Sequence, residues 1–201
     1  MKTSRRTGRK IGLFGGSFNP AHEGHLHVAQ TALKSLDLDE IWWLVSPQNP
    51  LKPQQPSYSS RAETVRALPL LRQMKLSRLE VDHKTQYTFE MVRNARKLHP
   101  NTRFVFLMGA DNFVQFPKWK NWRDIISAMP IAIIARPTKS GEPHFKARLG
   151  KAARMYRGAR LSEAQAHILA ARKAPAWTYV TAPMNRQSSS AIRHQKDSQS
   201  A

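Results

Sequence analysis

The chain contains no cysteine. Disulfide staples, thiolate nucleophiles and cysteine metal sites are therefore excluded together, whatever the compartment. Long apolar runs are also missing: stretches such as Phe104 to Ala110 and Pro130 to Ala135 fall far short of the roughly 18 residues that cross a bilayer. No membrane span is expected. Acidic residues are scarce, 13 against 33 Lys and Arg, which leaves a formal net charge of +20. There is no HExxH helix to hold zinc, no metal site is expected, and no dedicated nucleic-acid signature or basic stretch interleaved with stacking aromatics is present. The basic N-terminus runs into a short, glycine-interrupted apolar stretch rather than the apolar core of a secretion signal, so a cytoplasmic location is expected.

What is present describes a globular protein. Its 201 residues, 40% hydrophobic and 23% charged, fit one domain over 1–201, with a basic tail at 1–9 and a C-terminal tail at 194–201 expected to be flexible. Two peripheral stretches hold much of the positive charge. Five of the first ten residues are Lys or Arg, and Arg136 to Arg160 carries eight basic residues against one acid, Glu142. Such a surface attracts phosphorylated ligands and gives non-specific affinity for nucleic acid. A basic nucleic-acid-binding protein is the rival reading, and steep salt dependence would mark it.

The hydrophobic pattern alternates between strand and helix, which calls for an α/β fold built on a single doubly wound parallel sheet. Ile11 to Phe14 reads as a strand ending in Gly15 and Gly16, followed by a helix with Leu26, Ala29, Leu33 and Leu36 on one face. Ile41 to Val45 is a second strand. Ser46 to Ser57, with four prolines and three glutamines, is a loop long enough to bind something. Ser60 and Glu63 suggest a capping box for a helix through Leu71, and Leu76 to Val81 reads as a strand. A helix carrying Phe89, Val92 and Leu98 stops before Pro100. Phe104 to Met108 is the central strand, and helical turns follow around Phe116 and Trp122. Ile131 to Ala135 is the next strand. The basic stretch to Arg160 shows no period and is expected to be an insertion or loop. Leu161 to Lys173 reads as helical, Trp177 to Thr181 as extended, and Ser188 onward as helical.

One segment carries chemistry: Gly15 to Leu26, GGSFNPAHEGHL, at the junction of the first strand and first helix. Glycines there allow close backbone approach, and a helix N-terminus offers N–H groups and a positive dipole end to an anion. The i, i+3 spacing of His22 and His25 lets two imidazoles face one phosphate.

This segment resembles the signature of nucleotidyltransferases with an HIGH-type motif, and among them the bacterial nicotinate mononucleotide adenylyltransferases. Further segments carry the resemblance: Gly109, Asp111, Phe116 and Trp119 match the family's GxDxxxxFxxW, and Gln86, Tyr87 and Thr88 stand where it has SYT. Ser188, Ser189, Ser190, Ala191, Ile192 and Arg193 resemble its ISSTxIR, with Gln187 in place of Ile. Asn49, Pro50, Leu51 and Lys52 keep the cation of the family's PPHK loop and lose its histidine.

The resemblance implies a Rossmann-like nucleotidyltransferase fold and adenylyl transfer from ATP to nicotinate mononucleotide, a step of NAD biosynthesis that releases pyrophosphate. It makes His22 and His25 catalytic and places Gly15, Gly16, Ser17, Phe18, Gly109 and Asp111 around ATP. Ser188, Ser190 and Arg193 would grip its distal phosphates, and Mg²⁺ would be held mainly through phosphate oxygens. Lys52, Tyr87, Thr88 and Trp119 would face the mononucleotide, with Trp119 stacking on the pyridine ring and Trp122 as the competing platform. Asp111 and Thr88 could equally serve as helix caps. Nicotinamide mononucleotide and other small acceptors remain the alternatives within the class.

Overall fold

Seven strands, every pairing parallel, form one sheet in the order β3-β2-β1-β4-β5-β7-β6. The computed structural model describes residues 8–47, 55–135 and 146–181, together with 189, 192 and 193. In chain order β1 is Lys10–Gly16, α1 is Glu23–Ser35, β2 is Glu40–Val45, α2 is Tyr58–Arg66, β3 is Met74–Ser77, α3 is Leu79–Asp82, and α4 is Thr88–Leu98. Then come β4 (Arg103–Gly109), α5 (Ala110–Gln115), a 3₁₀ turn at Phe116–Lys118, α6 (Trp122–Ala128) and β5 (Ile131–Ile134). The last elements are α7 (Lys146–Leu149), α8 (Lys151–Met155), β6 (Arg160–Leu161), a 3₁₀ helix at Glu163–Ala171 and β7 (Trp177–Val180).

Alternation along each strand distributes the core. Leu13 and Phe106 point to one face, where Met91, Val92 and Ala95 of α4 and Ile125 of α6 cover them. Phe14, Val105 and Leu107 point to the other, against Val28, Ala29 and Ala32 of α1 and its C-cap Leu36. Central strands buried on both faces read as unbroken apolar runs, which is why β4 and β5 were plain in the sequence. The strand order reverses between β1 and β4, and in open parallel sheets a crevice opens beyond the carboxyl ends of such a pair. Gly16 ends one of these strands and Gly109 the other. No described helix is long and apolar enough to cross a membrane.

Some sequence expectations need correction. The cap of α2 is Ser57, whose hydroxyl accepts the Ser60 N–H at 3.2 Å, not the Ser60–Glu63 box, and the helix ends at Arg66. The expected strand from Leu76 to Val81 is β3 ending at Ser77 followed by α3. Part of the basic stretch expected to be a loop is helical, in α7 and α8, because Ala147, Ala152 and Ala153 pack into the core. Leu161 opens no helix; it ends β6, and the helical segment after it is 3₁₀. The tail residues 1–7 and 194–201 lie outside the described residues.

Leu13 is fully buried in the middle of β1, whereas Leu149 is 70% exposed. Leu13→Ala should lower the unfolding free energy by about 3 kcal/mol through lost burial and the cavity left behind. Leu149→Ala should stay within about 0.5 kcal/mol. Urea denaturation of the two variants checks the contrast.

Candidate active site

The turn between β1 and α1 is shaped by one aromatic ring. Phe18 adopts φ 47°, a left-handed conformation that disfavours a side chain, and its ring is buried against Phe14 and Trp43 with centroids at 5.4 and 5.1 Å. A Cβ at position 16 would lie 2.9 Å from that ring. Gly16 is therefore required by the ring packed over it.

This turn delivers the two histidines. His22 is the N-cap of α1, and its Nδ1 accepts the Gly24 N–H at 3.1 Å. With Nδ1 accepting, the neutral ring carries its proton on Nε2, which makes that nitrogen a donor. The His25 ring lies 3.9 Å from that of His22, centroid to centroid, and packs edge-on against Phe18 at 5.1 Å. Both imidazoles thus sit at the first turn of a 13-residue helix, where the positive end of its dipole favours an anion.

Distant segments converge on the same turn. The Thr64 hydroxyl on α2 accepts the Ala21 N–H at 2.9 Å. Arg61, one helical turn earlier, is buried and donates to the carbonyls of Ser17 at 2.7 Å, Pro47 at 2.7 Å and Pro56 at 2.9 Å. From the far end of the chain, the Ser189 hydroxyl donates to the Pro20 carbonyl at 2.9 Å, and the Arg193 guanidinium donates to the Asn19 carbonyl. Arg193 thus reaches the turn, while Ser188, Ser190 and Lys52 lie outside the described residues. Gly109 is the N-cap position of α5, and Asp111 stands in that helix's first turn, half-buried.

A second group lies at the start of α4. Thr88 is the first residue of the helix and Tyr87 its N-cap position, where the backbone N–H of Tyr87 is bound by Glu90 at 3.2 Å. The Thr88 side chain therefore does not hold the cap position. Lys120 Nζ sits 4.2 Å from the centre of the Tyr87 ring, which joins this helix start to the segment after the 3₁₀ turn. The two tryptophans differ. Trp122 is buried, edge-on to Phe116 at 5.6 Å and Tyr156 at 5.9 Å, and belongs to the core. Trp119 is half-buried, edge-on to Phe106 and Phe116 at 6.3 and 5.5 Å, so part of its indole is open to a ligand. Among the described residues no cluster of three or more His, Asp or Glu is arranged to hold a metal ion.

Ser189 lies in the segment that resembles ISSTxIR, whereas Arg61 and Thr64 carried no signal in the sequence, because arginine and threonine are ordinarily surface residues. Glu80 on α3 was equally silent. It is buried, its Oε2 has no hydrogen-bond partner among the described residues, and burial pushes its carboxyl up to about 7 despite the pull of the Arg61 charge. Tyr58 beside Arg61 is raised by burial as well, with Arg78, Arg66, Asp82 and Glu80 as its charged surroundings.

Residues 13–195 match the family described as cytidylyltransferase-like. The chain is 45% identical over 184 residues, 91% of its own length and 95% of the other's, to a protein of Ruegeria sp. (strain TM1040) named "Probable nicotinate-nucleotide adenylyltransferase". A Caulobacter sp. (strain K31) protein of the same name is 45% identical over 92% of this chain and 96% of its own. The Plasmodium falciparum nicotinic acid mononucleotide adenylyltransferase complexed with NaAD superimposes with a TM-score of 0.65 at 18% identity, over 92% of this chain and 83% of that one. At that identity the likeness is one of fold.

A carboxyl with a folded pKa near 7 against an ordinary 4.5 keeps a proton that the unfolded chain releases. Its contribution to stability is therefore greatest below pH 4.5 and is lost as pH rises through 7, on the order of 3 kcal/mol in all. Glu80→Gln should remove this slope and be the more stable protein above neutrality; melting temperatures from pH 4.5 to 8 check it.

Proposed function

The chain belongs to the nicotinate-nucleotide adenylyltransferases within the cytidylyltransferase-like family, and we propose that it joins the adenylyl group of ATP to nicotinate mononucleotide, giving nicotinate adenine dinucleotide and pyrophosphate. The observation that carries this reading is the imidazole pair: His22 and His25, 3.9 Å apart, at the N-terminus of α1 beyond the carboxyl end of β1.

The chemistry asks for what this site offers. A phosphate monoester is already anionic at neutral pH, so the acceptor needs no general base. Its oxygen attacks the α-phosphorus of ATP, the bond to the bridging oxygen breaks, and the electron pair leaves with pyrophosphate. Charge builds on the leaving phosphates, and positioned donors that meet it there lower the barrier. Nε2 of His22, the His25 ring and the start of α1 supply such donors. Gly15, Gly16, Ser17 and Phe18 let the backbone approach the triphosphate. Arg193, held to Asn19, adds a guanidinium, and the hydroxyls of Ser188 and Ser190 complete the grip on the distal phosphates. Gly109 and Asp111, at the end of β4, face the ribose or adenine side.

On the acceptor side, Trp119 stacks on the pyridine ring with the indole area left open by Phe106 and Phe116, and Tyr87 and Thr88 bind the ring substituent or its phosphate. Lys52 supplies a charge to the acceptor phosphate. Mg²⁺ suits a donor set of N–H groups and imidazoles only if its own ligands are chiefly triphosphate oxygens and water, and we assign it there; bound so, it would offset charge on the transferring phosphates. A cytoplasmic location belongs to the same proposal, as does an affinity for nucleic acid that is only the non-specific one of its charge.

Pyrophosphate release with ATP and each mononucleotide in turn tests the assignment: turnover with the nicotinate form should exceed that with the nicotinamide form, and no release with either would remove it. His22→Ala and His25→Ala should each lower kcat by at least about 100-fold while the fold persists; wild-type rates in either would end that histidine's role.

Trp119→Ala should chiefly raise KM for the mononucleotide and spare KM for ATP. Trp122→Ala should instead lower the melting temperature, since it removes a core indole. The opposite pattern would exchange the two assignments.

A further inference from the structure

Arginine in a protein interior is strongly destabilising unless acceptors meet its guanidinium. Arg61 is 1% exposed. All three of its nitrogens donate to backbone carbonyls, and those carbonyls come from two stretches: Ser17 lies in the β1–α1 turn, while Pro47 and Pro56 stand at the two ends of the β2–α2 connection. Glu80 on α3 and Tyr58 on α2 are the groups whose charge bears on it.

We propose that Arg61 is a positioning residue for adenylyl transfer: its guanidinium fixes the anion turn through the Ser17 carbonyl and ties it to both ends of the β2–α2 connection, with the buried Glu80 as its counter-charge. The inference rests on the adenylyl-transfer reading and deepens it. Ser17 is adjacent to Phe18, whose ring sets His25, and five residues before His22. A shift of the Ser17 carbonyl therefore moves the donors relative to the triphosphate. Lysine cannot replace this group, because an ammonium is a point charge that cannot span three carbonyls set by a planar fork. The Oε2 of Glu80 has no hydrogen-bond partner among the described residues, and what it exerts on Arg61 when ionised is the pull of a charge.

The experiment compares wild type, Arg61→Lys and Glu80→Gln at pH 8, where the Glu80 carboxyl is mainly ionised. Titration calorimetry with a non-hydrolysable ATP analogue gives the number of competent sites, and pyrophosphate release with ATP and nicotinate mononucleotide gives kcat per competent site. A merely structural role would lower the number of sites and leave turnover per site intact. The expected result is near-full stoichiometry with kcat per site reduced about 30-fold or more in Arg61→Lys, in line with what a misplacement of an ångström costs. Glu80→Gln, which preserves shape, should lose about fivefold per site at pH 8 and match wild type near pH 5, where both carry a neutral group. Should Arg61→Lys fail to fold, Glu80→Gln decides alone. Wild-type turnover per site in the folded variants overturns the inference while leaving the function intact. Absence of turnover in the wild type overturns both.

Discussion

The site depends on a close contact between a ring and a missing side chain. Phe18 lies where a Cβ on Gly16 would be, 2.9 Å away, and only burial between Phe14 and Trp43 makes its left-handed backbone tolerable. An isolated residue in that conformation costs on the order of 1–2 kcal/mol, while burying a phenylalanine side chain gains about as much or more. The hydrophobic core thus drives the turn into its shape. His25 leans on the same ring at 5.1 Å, so the position of a polar donor is decided by apolar packing. In the proposed reaction, donors held this way would need no reorganisation when charge develops before them, which is where electrostatic catalysis gains most.

Around that contact the sheet supplies the location. Because β1 lies between β2 and β4, the segments leaving β1 and β4 depart on opposite faces, and their first helical turns flank one crevice. α1 brings His22 and His25, and α5 brings Asp111. Helices in parallel crossovers run back against the strands, so their N-termini gather at the strands' carboxyl ends. The start of α4, with Tyr87 and Thr88, is at that same edge for this reason. Ser189 and Arg193 reach it from far along the chain and bind carbonyls of Pro20 and Asn19.

Much of this was readable without coordinates, and the division has physical causes. β1, β2, β4, β5 and β7 announce themselves because a strand buried on both faces must be apolar throughout, and the paired glycines ahead of the two histidines mark the turn from strand to helix. The cap of α2 is not legible because Ser57 and Ser60 are equally good caps in isolation; the half-buried Tyr58 and the buried Ala62 fix which one starts the helix. α7 and α8 were missed because the residues they bury, Ala147, Ala152 and Ala153, are too small to stand out among exposed arginines. Trp119 and Trp122 could not be ranked by composition, since both are indoles three residues apart, and only their neighbours separate the half-open ring from the core one. Arg61 and Glu80 were illegible because burial of a charged residue is a tertiary fact: nothing local distinguishes them from the solvated charges that make up most of the sequence's surface.

That last pair also bears on why the protein tolerates a weakness. A buried carboxyl raised to about 7 makes the folded state less stable at neutral pH than the same chain with an amide there, and the nearby Arg61 charge only partly offsets the effect. Stability alone would favour replacing it, since marginal folds are improved by removing buried charges that lack hydrogen bonds. The pair makes sense if its benefit lies elsewhere. Arg61 of the pair is bonded to the Ser17 carbonyl in the turn that carries the two histidines, and polar groups held at a cost cluster where geometry must be fixed for chemistry. The costly carboxyl and the three-way guanidinium then belong to one proposed device: the guanidinium, charged at any pH the protein meets, holds the Ser17 carbonyl and both ends of the β2–α2 connection together.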